Sequence, residues 1–400
     1  MAPVLVMSRA KRENSMTNSK ILFTKTSLGK DYVKTLKSEQ RNELGRGMNS
    51  KFKLYNAVPL SEVHFYDMTR VDEEELQPLP PSGADVLEII KKYDLREFKT
   101  AGDLLDKIET VRTSEFGERY LIINAIESDP GVMHEEWLLH NRADLIELGI
   151  KAVKKTCYFH RVVIASRYDV KIENTETAIF DYGYPIEGEH NIVKHALGLE
   201  LEAGETAATD GILIISVQTL INLGLASAGV EPKTRYLTAA NFGAKESKVV
   251  RVPFGYFSSD LLVRVYGKQE SELRFAGQGA LNALPIELSP QIDYTTELIA
   301  YAKALEFSGP EKCDICGECQ KACPLDLPIQ AVIAMSEGCG IELKRRDAKK
   351  YKDIDVNKIA QSCIKCKACT YACPQGLDPM DELKKTLSSS VRNRLALKIE

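Results

Sequence analysis

Apolar positions along this chain follow two rhythms. Between Ala84 and Tyr93, the residues Val86, Ile89, Ile90 and Tyr93 recur at helical spacing and mark the buried face of a helix. From Tyr120 to Ile126 the apolar run is continuous, which predicts a strand covered on both faces. A long helix is predicted over His134 to Lys155 and a second strand over Arg161 to Ser166. A helix over His190 to Leu199, a strand over Gly211 to Val217 and a helix over Gln218 to Ala228 continue the series. Alternating strands and helices of this kind predict an α/β layer with a parallel sheet, spanning residues 81–234. Beyond Arg235 the rhythm shortens. Strands are predicted over Lys248 to Val252 and Leu262 to Tyr266, with a turn at Gly277 to Gly279, so residues 235–290 read as a small β module. A helix over about Asp293 to Phe307, stopped by Gly309 and Pro310, would lead into residues 291–400. Residues 1–80 end in the proline-rich run Pro78 to Pro81, which reads as a boundary, and suggest no chemistry.

Composition narrows the function classes. The chain has 400 residues, 44% of them hydrophobic and 28% charged, as in ordinary globular proteins. Its formal net charge of −4 gives no overall attraction for nucleic acid. The longest apolar run, Gly211 to Val217, is far too short to span a bilayer, so no transmembrane segment is expected. The apolar stretch Pro3 to Met7 precedes the basic residues Arg9, Lys11 and Arg12, the reverse of a secretory signal, and a cytoplasmic location is expected.

Cysteine spacing carries the chemistry. Eight of the ten cysteines form two runs of the pattern C-x2-C-x2-C-x3-C-P: Cys313, Cys316, Cys319, Cys323 with Pro324, and Cys363, Cys366, Cys369, Cys373 with Pro374. Three closely spaced thiolates from one loop suit three corners of a 4Fe–4S cubane, and the fourth cysteine of each run ligates the other cluster. Two 4Fe–4S clusters are therefore expected. One would be held by Cys313, Cys316, Cys319 and Cys373, the other by Cys363, Cys366, Cys369 and Cys323. Paired zinc ligands leave the repeated triple spacing unexplained, and disulfides call for an oxidising compartment. The insertion Leu325 to Ser362 has Ile329, Val332, Ile333 and Met335 near helical spacing, pointing to an α-helical ferredoxin module. Cys339 reads as a spare thiol, Cys157 and His160 as core packing, and Lys344 to Lys352 as a solvated basic helix face.

The order of these parts, with the segment Asn124 to Gly131, resembles the NADH-oxidising flavoprotein subunit of respiratory complex I. It is more similar to the C subunit of the Rnf-type ferredoxin:NAD oxidoreductase and its relatives, which include a cobalamin reductase of propanediol utilisation. Tyr184, Pro185, Gly188, Glu189 and Ile192 match a stretch of that protein, and Arg251 to Leu262 looks like the start of its soluble-ligand-binding β-grasp module. The resemblance covers roughly residues 81–385. It implies a complex I-like α/β layer, a small β-grasp module and an α-helical dicluster ferredoxin domain. It also implies an FMN site flanked by Glu127 and Asp129. Two features depart from the family. Its glycine-rich phosphate loop is replaced by Asp94 to Lys107, with the single glycine Gly102 and the acids Asp103 and Asp106, and no biotinyl-like barrel is evident in residues 1–77. The expected function is an electron-transfer subunit that relays single electrons through two clusters to redox protein partners, either flavoprotein or terminal reductase subunits. The alternatives are an FMN-dependent NADH-oxidising subunit and a corrinoid-binding protein resembling cobalamin reductase.

Overall fold

The computed structural model describes strand His64–Asp67, most of residues 76–303 and parts of residues 313–379. Cys339, Lys344 to Lys352, Tyr184, Pro185, Ser128 and nearly all of residues 1–75 lie outside the described residues.

Four parallel strands form the first sheet: β2 (Tyr120–Asn124), β3 (Arg161–Ser166), β4 (Glu176–Ile179) and β5 (Ile212–Ser216), in the order β4-β3-β2-β5. Tyr120 stands beside both Arg161 and Ile212, so β2 lies at the centre. Side chains alternate faces along a strand. Leu121 and Ile123 enter one core, with Val162, Ile164, Leu213 and Ile215, while Ile122 enters the other with Val163 and Ile214. Both faces are buried, and this is why the strands read as unbroken apolar runs.

Helices α1 (Gly83–Lys92), α2 (Leu104–Thr113), α4 (Ala143–Val153) and α6 (Val217–Ser227) contribute to the larger core, and α5 (Glu189–Leu197) covers the opposite face. Ser82 caps α1 through a reciprocal bond with Asp85. Helices α4 and α6 meet at two glycines. A Cβ on Gly149 would sit 2.2 Å from the Leu220 carbonyl oxygen, and one on Gly224 would sit 2.6 Å from the Gly149 nitrogen. The long helix expected from His134 is two helices, α3 (His134–Asn141) and α4, because Arg142 leaves the helical region with φ −131° and ψ 42°. Cys157 is half-buried against the core as expected, whereas His160 is exposed and its Nδ1 accepts from the Arg119 amide.

The second sheet has six strands: β1 (His64–Asp67), β6 (Thr234–Asn241), β7 (Glu246–Pro253), β8 (Glu272–Gly277), β9 (Ala283–Pro285) and β10 (Leu298–Lys303), in the order β1-β7-β6-β10-β8-β9. Strand β10 runs parallel to β6 and antiparallel to β8. Two expectations are corrected here. Leu262 to Tyr266 belongs to helix α7 (Ser258–Tyr266): Leu261, Leu262, Val265 and Tyr266 turn toward one core at helical spacing, and the Tyr266 hydroxyl donates to the Ala239 carbonyl. Asp293 to Phe307 does not open a helix; its described part contains β10, whose residues Leu298 to Tyr301 are buried between two neighbouring strands. Asp293 does use helix-cap chemistry, its Oδ1 accepting from the Thr295 amide and the Thr296 hydroxyl, but it closes a turn.

In the cysteine region the described elements are the short helices α8 (Glu318–Lys321), α9 (Ile329–Met335) and α10 (Ala368–Ala372). Helix α8 packs on both α9 and α10, and Ile329, Val332, Ile333 and Ile359 form a small core with Cys319 and Cys369. The helical reading of the insertion holds for α9.

Candidate functional site

Two regions gather reactive side chains. The first is a cleft of about 250 Å³ at the carboxyl ends of the parallel strands, bordered by Glu97, Phe98, Lys99, Asn124, Ser216 and Glu297 among others. Open α/β sheets characteristically bind ligands at this edge.

The loop between α1 and α2 shapes the cleft. Glu97 Oε1 accepts from the Ser216 amide at 2.9 Å and the Thr219 hydroxyl at 3.2 Å, tying the loop to the start of α6, whose Ser216 side chain caps it. Phe98 is buried against Phe254 and Tyr294, with the Arg235 guanidinium 5.0 Å from its ring centre. Lys99 has φ 74° and Ala101 φ 55°, both in the left-handed region that favours glycine. The loop thus keeps glycine-like geometry with residues that carry side chains. Lys99 Nζ donates to the Ile126 carbonyl at 2.7 Å, and Gln278 donates to the Lys99 carbonyl at 3.0 Å.

Glu127 and Asp129, expected beside a flavin, are both buried, at 4% and 2% exposure. Glu127 Oε1 accepts from the Glu136 amide at 3.0 Å. Burial holds its carboxyl well above the usual range, with Lys99 opposing the shift and Glu135 and Glu136 adding to it. Asp129 lies under the β8–β9 connection, where a Cβ on Gly279 would fall 2.1 Å from the Asp129 Cβ. Spacing gave no hint of the rest of this charged cluster. Burial pushes Glu135 up to about 7, with Lys99 opposing, and also pushes Glu136 up to about 7, with Arg167 opposing. Burial and then Arg235 and Lys99 hold His134 well below its ordinary value. Arg235 is fully buried and lowered to about 10 by burial, against the pull of Glu297 and Glu135. A signal did exist in the sequence: the Glu135–Glu136 pair stands at the head of a helix whose next residues, Trp137 to Leu139, are apolar, and Glu297 immediately precedes the apolar run of β10.

The Asp94 to Lys107 stretch offers little to a phosphate. The amides of Leu95, Glu97, Phe98, Lys99, Ala101, Gly102 and Leu104 all have acceptors within the protein. Those of Leu105 and Asp106, at the start of α2, are both taken by the Asp103 carboxylate at 2.8 and 3.2 Å. A phosphate loop works by turning such amides outward. The residues present therefore do not fit the phosphate of FMN.

The second region is the cysteine module. Cys319, Cys369 and Cys373 are buried, Cys313, Cys323, Cys363 and Cys366 are partly buried, and Cys316 is exposed. The Cys319 thiol is pushed up to about 12, first by burial and then by Cys373, Cys313 and Cys316. Cys366 is likewise pushed up to about 12, by burial first and also by Cys323 and Cys363, against a hydrogen bond from the Ala368 amide. Each thiol thus feels its own run and the fourth cysteine of the other. The Leu327 amide points at Cys323 Sγ from 3.4 Å. Among the described residues no three His, Cys, Asp or Glu side chains are gathered to hold a single metal ion. A cubane, which spreads its ligands over four iron corners, asks for a wider set than one ion does. The thiols near Cys319 and Cys366 fit such a group in kind and in grouping.

Comparison with known proteins agrees with this chemistry. Residues 305–374 match the 4Fe-4S dicluster domain family. The C subunit of the ion-translocating oxidoreductase complex of Buchnera aphidicola is 25% identical over 289 residues, covering 64% of this chain and 55% of that protein. The protein of the same name from Rhodobacter capsulatus is 26% identical over 227 residues, covering 52% and 43%. The chain thus spans about half the length of the curated relatives it matches. A crystal structure of an NAD+-reducing NiFe hydrogenase in the H2-reduced state aligns with a TM-score of 0.48 and 13% identity, covering 88% of this chain and 72% of that one. Among the described residues no helix is long and apolar enough to cross a membrane. The chain resembles the C subunit of ion-translocating oxidoreductase complexes and carries, at residues 305–374, a match to an iron–sulfur dicluster domain.

Proposed function

We propose that this chain is an electron-transfer subunit of a larger oxidoreductase, relaying single electrons through two 4Fe–4S clusters. Cys313, Cys316, Cys319 and Cys373 would hold one cluster, and Cys363, Cys366, Cys369 and Cys323 the other. The observation that carries this reading is the pair of C-x2-C-x2-C-x3-C-P runs, the first within the dicluster match and the second closing it, with cysteines of both runs gathered at one small core. Bound clusters supply one-electron redox chemistry at potentials tuned by hydrogen bonds and burial. The chain's part is to hold the sulfurs and keep water away. Burial of Cys319, Cys369 and Cys373 and the apolar wall of Ile329, Val332 and Ile333 serve the second task. The partners would be flavoprotein or terminal reductase subunits, at a cytoplasmic location, and the oxidoreductase complex named for the relatives supports a multi-subunit setting.

The strands from β6 to β10 would form a β-grasp ligand-binding module. The central parallel pair, β6 and β10, is flanked by β7 on one side and by β8 and β9 on the other, with α7 between β7 and β8 in the chain, which supports that reading with the module running on to Lys303. Anaerobic purification with iron and sulfide analysis tests the relay. About eight irons per chain, bleached by dithionite and not by NADH alone, are expected. Stoichiometric zinc without iron, or bleaching of the isolated chain by NADH, would overturn it.

A further inference from the structure

The cleft beside the parallel sheet has no part in the cysteine chemistry, yet it is a formed site. Its floor carries two carboxylates, Glu97 at 6% and Glu297 at 0% exposure. Glu97 is anchored through Oε1 alone; its Oε2 is buried and has no hydrogen-bond partner among the described residues. A buried acceptor left in that state is costly, and an N–H donor would relieve it. Both lysines at the cleft are already engaged. Lys99 Nζ donates to the Ile126 carbonyl, and Lys107 Nζ lies 3.8 Å from Glu189 Oε1. Phe98, Ile192 and Ile214 supply apolar walls between these groups.

We infer that this cleft is a ligand site closed to phosphate-bearing cofactors such as FMN, and that it takes a small flat ligand carrying positive charge on N–H donors. Asp103 explains the closure. Its carboxylate occupies the amides of Leu105 and Asp106 at the start of α2, and the amides of the cleft residues Glu97, Phe98 and Lys99 already have acceptors in the protein. Size points the same way, since about 250 Å³ falls below the usual span for a drug-sized ligand of ~300–1,000 Å³. The charge balance favours a cation. Glu97, Glu189 and Glu297 line the cleft against Lys99 and Lys107, so carboxylates outnumber cations in its wall. The inference does not involve the clusters; a chain found to bind no iron would leave it standing.

The test is calorimetric titration of the full-length chain, purified anaerobically, with benzamidine, benzoate and FMN. Benzamidine presents a flat apolar ring and a charged N–H fork, and benzoate has the same shape with the opposite charge. Benzamidine is expected to bind at millimolar concentration or below, benzoate at least about tenfold more weakly, and FMN not at all. Glu97→Gln should weaken benzamidine by about tenfold or more. Micromolar FMN binding, equal binding of benzoate, no binding of benzamidine, or an unchanged affinity in a folded Glu97→Gln chain would each overturn the inference. Should that variant fail to fold, the pair of opposite charge on the unaltered chain decides.

Discussion

The cysteine module and the cleft build their sites in opposite ways. In the module eight thiols come from two short runs, each repeating one spacing, and in the assignment proposed above only one cysteine per run reaches across. In the cleft and the charged seam behind it, Glu97, Glu127, Glu135 and Glu297 come from four separate stretches, and Lys99 and Arg235 from the loop and from β6. A site written within one loop survives much rearrangement of the rest of the chain. A site assembled across two sheets depends on how those sheets pack, and its ionisation states record that packing.

Mutations can separate the two cases. The largest effect is expected from Cys373→Ser, which removes a ligand proposed to cross to the first run. Iron should fall from about eight to about four per chain, and the remaining signal in the reduced-state electron paramagnetic spectrum should match that of Cys313→Ser rather than that of Cys363→Ser. The reverse match would overturn the crossed assignment. Next comes Gly149→Ala, whose Cβ would press 2.2 Å from the Leu220 carbonyl oxygen. It should cost about 1–3 kcal/mol in the α/β layer without changing iron content. The single tryptophan, Trp137, is buried on α3 and reports unfolding there by fluorescence.

The charged seam predicts a pH dependence. Glu135 and Glu136 are both raised to about 7 in the folded protein. Between the ordinary carboxylate range and about 7 the folded state therefore holds more protons than the unfolded one, so their contribution to stability declines as pH rises through that window and is flat above it. Glu135→Gln should stabilise the protein at about pH 8 by on the order of 1–3 kcal/mol and have little effect near pH 5. A gain of equal size at both pH values would mean that the carboxyl is not raised. A smaller loss, about 1 kcal/mol, is expected for Asp103→Ala, which uncaps α2 and can be followed by denaturant titration. The smallest belongs to Arg161→Ala, whose bond to Glu176 at 2.7 Å joins two well-exposed side chains; its cost should stay below about 1 kcal/mol and shrink with added salt.

The parallel sheet was legible before any coordinates because both its faces are covered. Strands β2, β3 and β5 are short uninterrupted apolar runs, and α1, α4 and α6 show helical periodicity or turn signals at their ends. The same rules failed on the mixed sheet. Leu262 to Tyr266 and Leu298 to Lys303 are both short apolar stretches, yet one is helix and the other a central strand. No local pattern distinguishes them, since β10 is a strand through its pairing with β6 and β8, which lie at a distance in the chain. The family resemblance singles out Glu127 and Asp129, which are buried, but not the carboxylates around them, because a carboxylate in the sequence reads as solvated until packing removes the water.

By itself the sequence determined what depends on covalent spacing: the paired cysteine runs, their suitability for cubanes, and the alternation of the α/β layer. Tertiary structure alone decided which amides of the Asp94 to Lys107 loop remain free for an anion and which carboxylates are stripped of water. The reason is physical. Ligand spacing within a loop is limited by bond lengths, whereas desolvation and hydrogen-bond satisfaction are set by atoms that meet only when distant segments pack together.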